Sequence, residues 1–109
     1  MKTSIKLAGT TFGRRPDYIK YVKKAKRLNK KIWFSFRREK NNPNDNNAIS
    51  VIAHVKEDGT HYRIGYVPKT ESARLARHID NGEKLYIYTG IIYGNLSVDI
   101  LFKEKGEKQ

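Results

Sequence analysis

Apolar and polar residues alternate with a period of two along most of the chain, and a helical period replaces it twice. The strongest alternation is Ile32-Trp33-Phe34-Ser35-Phe36, which sets Ile32, Phe34 and Phe36 on one face and Trp33, Ser35 and Arg37 on the other. It predicts a strand over residues 31–38 with the first face in the core. Similar runs predict strands at 4–8, 48–55, 62–67, 84–93 and 96–103, with hairpin turns at Asp58-Gly59 and Gly94-Asn95. Between the first two strands Pro16 suits a first helical turn. Tyr18, Tyr21, Val22 and Ala25 then recur at helical spacing, with Lys20, Lys23, Lys24 and Arg27 on another face, as far as Leu28-Asn29. Ser72, Leu75, Ala76 and Ile79 form one stripe of a second helix over 69–80, stopped by Asn81-Gly82. Six short strands with two helices are predicted to form a mainly β (α+β), small antiparallel barrel with helices plugging or flanking it. Parallel winding is disfavoured, because two of the strand connections are hairpins.

Charge sharpens this picture. The 109 residues carry a net charge of +12, and residues 1–40 hold 14 Lys/Arg against two acids, Asp17 and Glu39, while residues 41–109 hold nine of each sign. The whole excess lies in the first third, which points to a polyanion partner, since neutralising phosphates releases counterions. A basic face kept for solubility is the competing reading, and anionic lipid is a weaker one. The length suits one domain spanning 1–109, with a fraying tail from about 104. Cysteine is absent, which removes disulfides and thiolate chemistry. No apolar run approaches the ~20 residues of a membrane span, so a soluble protein without membrane contact is expected; the lack of cysteine fits a reducing cytoplasm, and a monomer is the expected state.

Catalytic chemistry finds little support. His54, His61 and His78 have no metal-type spacing and read as surface or satisfied histidines. Asp45 and Asp99 lack the further carboxylates that a two-metal nuclease requires. Gly9 and Gly13 are not followed by the Lys-Ser/Thr of a phosphate-binding loop, and the 41–48 loop lacks the glycine and terminal glutamate of a calcium loop. No enzyme, cofactor or metal is expected. Trp33 between Lys31 and Arg37 offers a stacking platform, but a tryptophan on a strand beside an amphipathic helix is more commonly covered by that helix, and that is the reading adopted. The loop Asn41-Asn42-Pro43-Asn44-Asp45-Asn46-Asn47-Ala48 is dense in side chains that fold back on the local backbone. It reads either as a cap on two strands or as a site.

Three separated stretches bear on that choice: Leu7-Ala8-Gly9-Thr10-Thr11-Phe12, then Arg38-Glu39-Lys40 running into the loop and Ile49, then Arg63-Ile64-Gly65-Tyr66-Val67-Pro68-Lys69. Their order and spacing resemble the signature of the HIRAN domain. The resemblance covers most of the chain. It implies an OB-like barrel that binds DNA, found as a module beside fork-remodelling ATPases or standing alone. Eukaryotic members capture the free 3′-hydroxyl end of single-stranded DNA, stacking terminal bases on aromatics while an aspartate accepts the hydroxyl.

Carried onto this chain, the resemblance makes Phe12 a base-stacking ring and Asp45 the reader of the hydroxyl. Asn41 and Asn42 become loop amides near the terminal nucleotide, and Lys69 a phosphate contact. Tyr66 stands where a eukaryotic member has histidine. The chain departs at Thr11, in place of arginine, and at Asn44, in place of a second stacking tyrosine, a ring worth about 1–3 kcal/mol per base. Arg14, Arg15 and the Lys20/Lys23/Lys24 face supply compensating charge. The expected function is therefore a non-catalytic module for single-stranded DNA at 3′ ends in repair or fork processing, with a separate ATPase, helicase or nuclease as possible partner and a nucleoid location in a bacterium. A protein-interaction adaptor that has lost the clamp is the alternative.

Overall fold

The computed structural model describes residues 2–94 and 96–104. Asn95 of the second expected turn and residues 105–109 of the expected tail lie outside them. Strand β1 (Lys2–Lys6) leads into helix α1 (Arg15–Arg27), strands β2 (Ile32–Arg38), β3 (Ile49–Val55) and β4 (Thr60–Tyr66) follow in succession, and helix α2 (Lys69–Asp80) precedes the final pair β5 (Tyr86–Tyr93) and β6 (Ser97–Lys103). Every strand pairing is antiparallel. The strands form two three-stranded sheets, ordered β1-β6-β5 and β2-β3-β4. The closed barrel expected from the strand count is thus corrected to two sheets meeting along seams. At one seam a single bridge pairs Ala8 with Tyr66. At the other, β2 packs beside β5 without a ladder, and a Cβ on Gly90 would come within 2.8 Å of the Phe34 ring. Phe34 fills the place where ladder bonds would otherwise close the wall.

One core lies between the sheets. Val51, Ile64, Ile100 and Phe102 from the strands meet Ile19 and Val22 of α1 and Leu75 of α2, all 0 % exposed. Each such side chain contributes about 1.5–3 kcal/mol relative to exposure. The buried stripe of α1 is Ile19, Val22 and Ala25. Tyr18 and Tyr21, expected in that stripe, are half-buried beside it with ring centroids 5.1 and 5.6 Å from Tyr62 of β4. A tyrosine hydroxyl needs a wet or polar partner, and the Tyr21 O–H donates to Asp58 at the β3–β4 turn.

Both helices end as their sequences dictate. Asn29 has φ +63°, the Asn29 N–H donates to the Lys26 carbonyl at 3.0 Å and the Lys30 N–H to Ala25 at 3.0 Å. Gly82 has φ +86° and repeats the pattern, with its N–H on Ile79 at 2.9 Å and the Glu83 N–H on His78 at 3.1 Å. These paired bonds satisfy the last carbonyls of each helix. At the start of α1, Pro16 costs no hydrogen bond and Asp17 faces the positive end of the helix dipole.

Candidate nucleic-acid interface

The close approach of two chain segments builds one wall of the site. A Cβ on Gly65 would sit 3.0 Å from the Ala8 carbonyl oxygen and 3.2 Å from both Leu7 Cβ and Thr10 Cγ2. Glycine alone lets the chain after β1 lie against β4. The Ala8 N–H then donates to Tyr66 at 2.8 Å and the Tyr66 N–H to Ala8 at 2.9 Å. Gly9, at φ +67°, turns the chain outward, and the Phe12 N–H closes the turn on the Gly9 carbonyl at 3.3 Å. Arg15, in the first turn of α1, donates through Nη1 to that carbonyl at 2.8 Å. Its guanidinium carbon lies 5.5 Å from the Phe12 ring centroid and 4.9 Å from that of Tyr66. A fixed cation therefore lies within cation–π range of both rings.

The opposite wall is the loop between β2 and β3. It folds as successive turns, with the N–H groups of Asn42, Asp45 and Ala48 donating to the carbonyls of Glu39, Asn42 and Asp45. Two side chains reinforce them: Asn42 Oδ1 accepts from the Asn44 N–H and Asp45 Oδ1 from the Asn47 N–H, each at 2.8 Å. These are Asx turns. Arg38 anchors the loop from below. Its Nη1 donates to the carbonyls of Asn46 at 2.8 Å and Ala48 at 3.2 Å, and its Nε and Nη2 grip both oxygens of Asp80, at the end of α2, at 3.0 Å.

Glu39 joins the two walls. Its Oε1 accepts from the Tyr66 hydroxyl at 2.8 Å and from Asn42 Nδ2 at 3.2 Å, and its Oε2 lies 3.3 Å from Arg63 Nε. The Glu39 side chain is 16 % exposed. Burial alone would raise its carboxyl, but hydrogen bonds from Ser50, Tyr66 and Asn42 and the charge of Arg63 outweigh this and hold it below the usual carboxylate range. Burial and the Glu39 carboxylate in turn push the Tyr66 hydroxyl up, so Tyr66 keeps its proton and donates it inward. Sequence reasoning did not single out Glu39. The available signal was its solitude: it is the one acid between Asp17 and Asp45, in a strongly basic stretch.

Between the walls lies a cleft of about 310 Å³, lined among others by Phe12, Arg15, Asn42, Asn44, Asp45, Tyr66 and Lys69. Seven candidates from three separated stretches thus share one concavity. Thr11, Arg14 and Asn41 do not line it. Thr11 and Asn41 sit in exposed turns, and Arg14 turns toward its own helix, 3.7 Å from Asp17 and 6.0 Å over the Tyr18 ring. Lys20 and Lys24 lie instead along an open groove of about 800 Å³ beside α1, with Lys23, Arg27, Tyr21 and Leu96. Phe12 is 71 % exposed at the cleft rim.

Trp33 is not covered by a helix, contrary to expectation. It is 47 % exposed and lies parallel to the His54 ring at 4.7 Å, because its register partner across the sheet is His54 and its side chain faces away from the core. His54 is satisfied, with Nε2 2.7 Å from Ser35 Oγ and Nδ1 2.6 Å from His61 Nδ1. Among the described residues no three His, Cys, Asp or Glu side chains are grouped to hold a metal ion, and no helix is long and apolar enough to cross a membrane.

The HIRAN domain family matches the chain over residues 5–102, nearly its whole length. No curated protein and no solved structure matches it.

Proposed function

The chain belongs to the HIRAN domain family, whose general property is DNA binding, and from that premise we propose that it is a non-catalytic module holding the 3′-hydroxyl end of single-stranded DNA in the cleft between the Gly9–Arg15 segment and the 41–48 loop. One observation carries the reading: a stacking ring, a carboxylate and two cations, Phe12, Asp45, Arg15 and Lys69, line one concavity. Phe12 offers its face to the terminal base, for which only a π-surface is needed. Asp45 commits Oδ1 to the turn, and its remaining oxygen accepts the terminal hydroxyl while repelling a phosphate in that place. Arg15 and Lys69 receive the last phosphates. Asn42 and Tyr66 act as scaffold, since their polar atoms serve the Asx turn and Glu39. The Lys20/Lys24 face of α1 tracks the backbone, so affinity falls steeply with salt. Such a module acts in repair or fork processing, beside a separate ATPase, helicase or nuclease, and in a bacterium its place is the nucleoid.

The test is fluorescence anisotropy with one strand ending in 3′-hydroxyl or 3′-phosphate, using wild type and Asp45→Asn. Asparagine keeps the Oδ1 acceptor of the turn but presents an amide to the ligand, so the variant separates recognition from loop folding. Wild type prefers the hydroxyl end and Asp45→Asn loses the preference. Equal binding of both strands by both proteins overturns end recognition. Absence of DNA binding at any salt concentration favours the adaptor reading instead.

A further inference from the structure

The outer face of β5 carries aromatic groups that the core does not use. Tyr86, Tyr88, Ile91 and Tyr93 are 66, 44, 37 and 49 % exposed. A register shift between Ile87 and Thr89 arranges this. It leaves Tyr86 and Tyr88 outside, their rings edge-on at 5.6 Å, and resets the alternation so that Gly90 turns in against Phe34 while Ile91 and Tyr93 turn out. Three tyrosines on one exposed strand face are more than scattered surface hydrophobicity requires.

The surrounding charge selects the occupant. Lys23 Nζ donates to the Gly94 carbonyl at 2.7 Å and Lys26 Nζ to that of Gly90 at 3.0 Å, so α1 pins two ammonium groups along the edge of β5. On the far side Lys103 stands opposite Tyr86 in the β5–β6 register and is exposed, and the one acid in that register, Asp99 opposite Ile91, has Lys6 of β1 as its partner on the other side. The basic groove of α1 runs from Pro16, next to Arg15 in the cleft wall, to Leu96 beside the β5–β6 hairpin. Rings rimmed by lysines fit bases and phosphates together. A second copy of the chain would bring +12 against +12, which disfavours self-association through this face.

We infer that the outer face of β5 is a stacking platform for bases of the same DNA strand, lying several nucleotides 5′ of the end in the cleft, with the α1 groove carrying the backbone between them. The inference rests on the cleft reading for the polarity of the strand. The 13 residues of α1 span about 20 Å at 1.5 Å each, a distance the strand must cross beyond the nucleotide in the cleft before its bases meet β5. The platform therefore engages strands of roughly ten nucleotides and is out of reach of four, within the site sizes of similar binding surfaces.

Anisotropy with 5′-labelled thymidine strands of four and twelve nucleotides, each ending in 3′-hydroxyl, tests this with wild type, Tyr86→Ala/Tyr93→Ala and Tyr86→Phe/Tyr93→Phe. The alanine pair loses on the order of 10-fold in affinity for the longer strand and none for the shorter, which also reports that its fold is intact, while the phenylalanine pair binds both as wild type does. Unchanged binding of the longer strand by the alanine pair, or an equal loss on both lengths, overturns the platform. So does a dimer, seen by sedimentation equilibrium, that the alanine pair dissolves without altering DNA affinity. A tyrosine-dependent gain with length in a protein indifferent to hydroxyl or phosphate ends would leave the platform standing and remove the cleft reading.

Discussion

Replacing Glu39 examines whether one carboxylate holds the cleft together. Glu39→Ala removes the acceptor of the Tyr66 hydroxyl and of Asn42 Nδ2 and the partner of Arg63. Hydrogen bonds to a charged group contribute about 1.5–3 kcal/mol each. Two effects reduce the sum: the 3.2 Å contact of Asn42 is long, and the Arg63 side chain is 45 % exposed and rehydrates. The expected loss is about 2–3 kcal/mol, or on the order of 10 °C in Tm for a domain of this size. Glu39→Gln keeps an acceptor for Tyr66 but not the charge, and should cost about 1 kcal/mol. Urea denaturation at several pH values distinguishes charge from shape. Because the folded-state carboxyl is held below its ordinary value of 4.5, its contribution is present above that pH and is lost as pH falls through the lowered folded value. The stability difference between wild type and Glu39→Gln should therefore be full at pH 7 and shrink below pH 4.5. A difference that stays constant from neutral pH to pH 3 would refute the assignment, as would Glu39→Ala with wild-type stability.

Gly65→Ala places a methyl 3.0 Å from the Ala8 carbonyl; by urea denaturation it should cost about 1–3 kcal/mol, and the displaced Phe12 turn should weaken binding of short 3′-hydroxyl strands. Arg38→Lys retains charge but not the fork that spans Asp80 and two loop carbonyls; hydrogen exchange at the Asn44 and Asn47 amides should accelerate while that of the β5–β6 ladder stays unchanged.

Much of this protein was legible in local order. Alternation at 32–36 and the Asp58-Gly59 turn specified strands that the structure contains, and Asn29 and Asn81-Gly82 marked helix ends because a left-handed residue there satisfies carbonyls within the same turn. Such signals act over a few residues, so a linear pattern can express them. The three motifs likewise named six candidate residues of the cleft, Phe12, Asn42, Asn44, Asp45, Tyr66 and Lys69, and the basic stretch that follows the first motif named a seventh, Arg15.

What the tertiary structure alone decided are relations between distant segments. The period of two places Trp33 opposite the core face, but whether a helix covers it depends on where α1 docks, and the tyrosine contacts to Tyr62 draw α1 to β4. Strand count does not dictate a closed barrel, because closure needs ladder bonds between β2 and β5, and the Phe34 ring against Gly90 occupies that seam. Thr11 and Asn41 share motifs with cleft residues and Arg14 adjoins Arg15, yet all three fall outside the cleft, since sequence adjacency sets no side-chain direction across a turn. Glu39 became central only when β2, β4 and the loop brought Arg63, Tyr66 and Asn42 around one carboxylate. Elements follow from nearest-neighbour stereochemistry, whereas a site follows from the packing of elements, which the linear order does not contain.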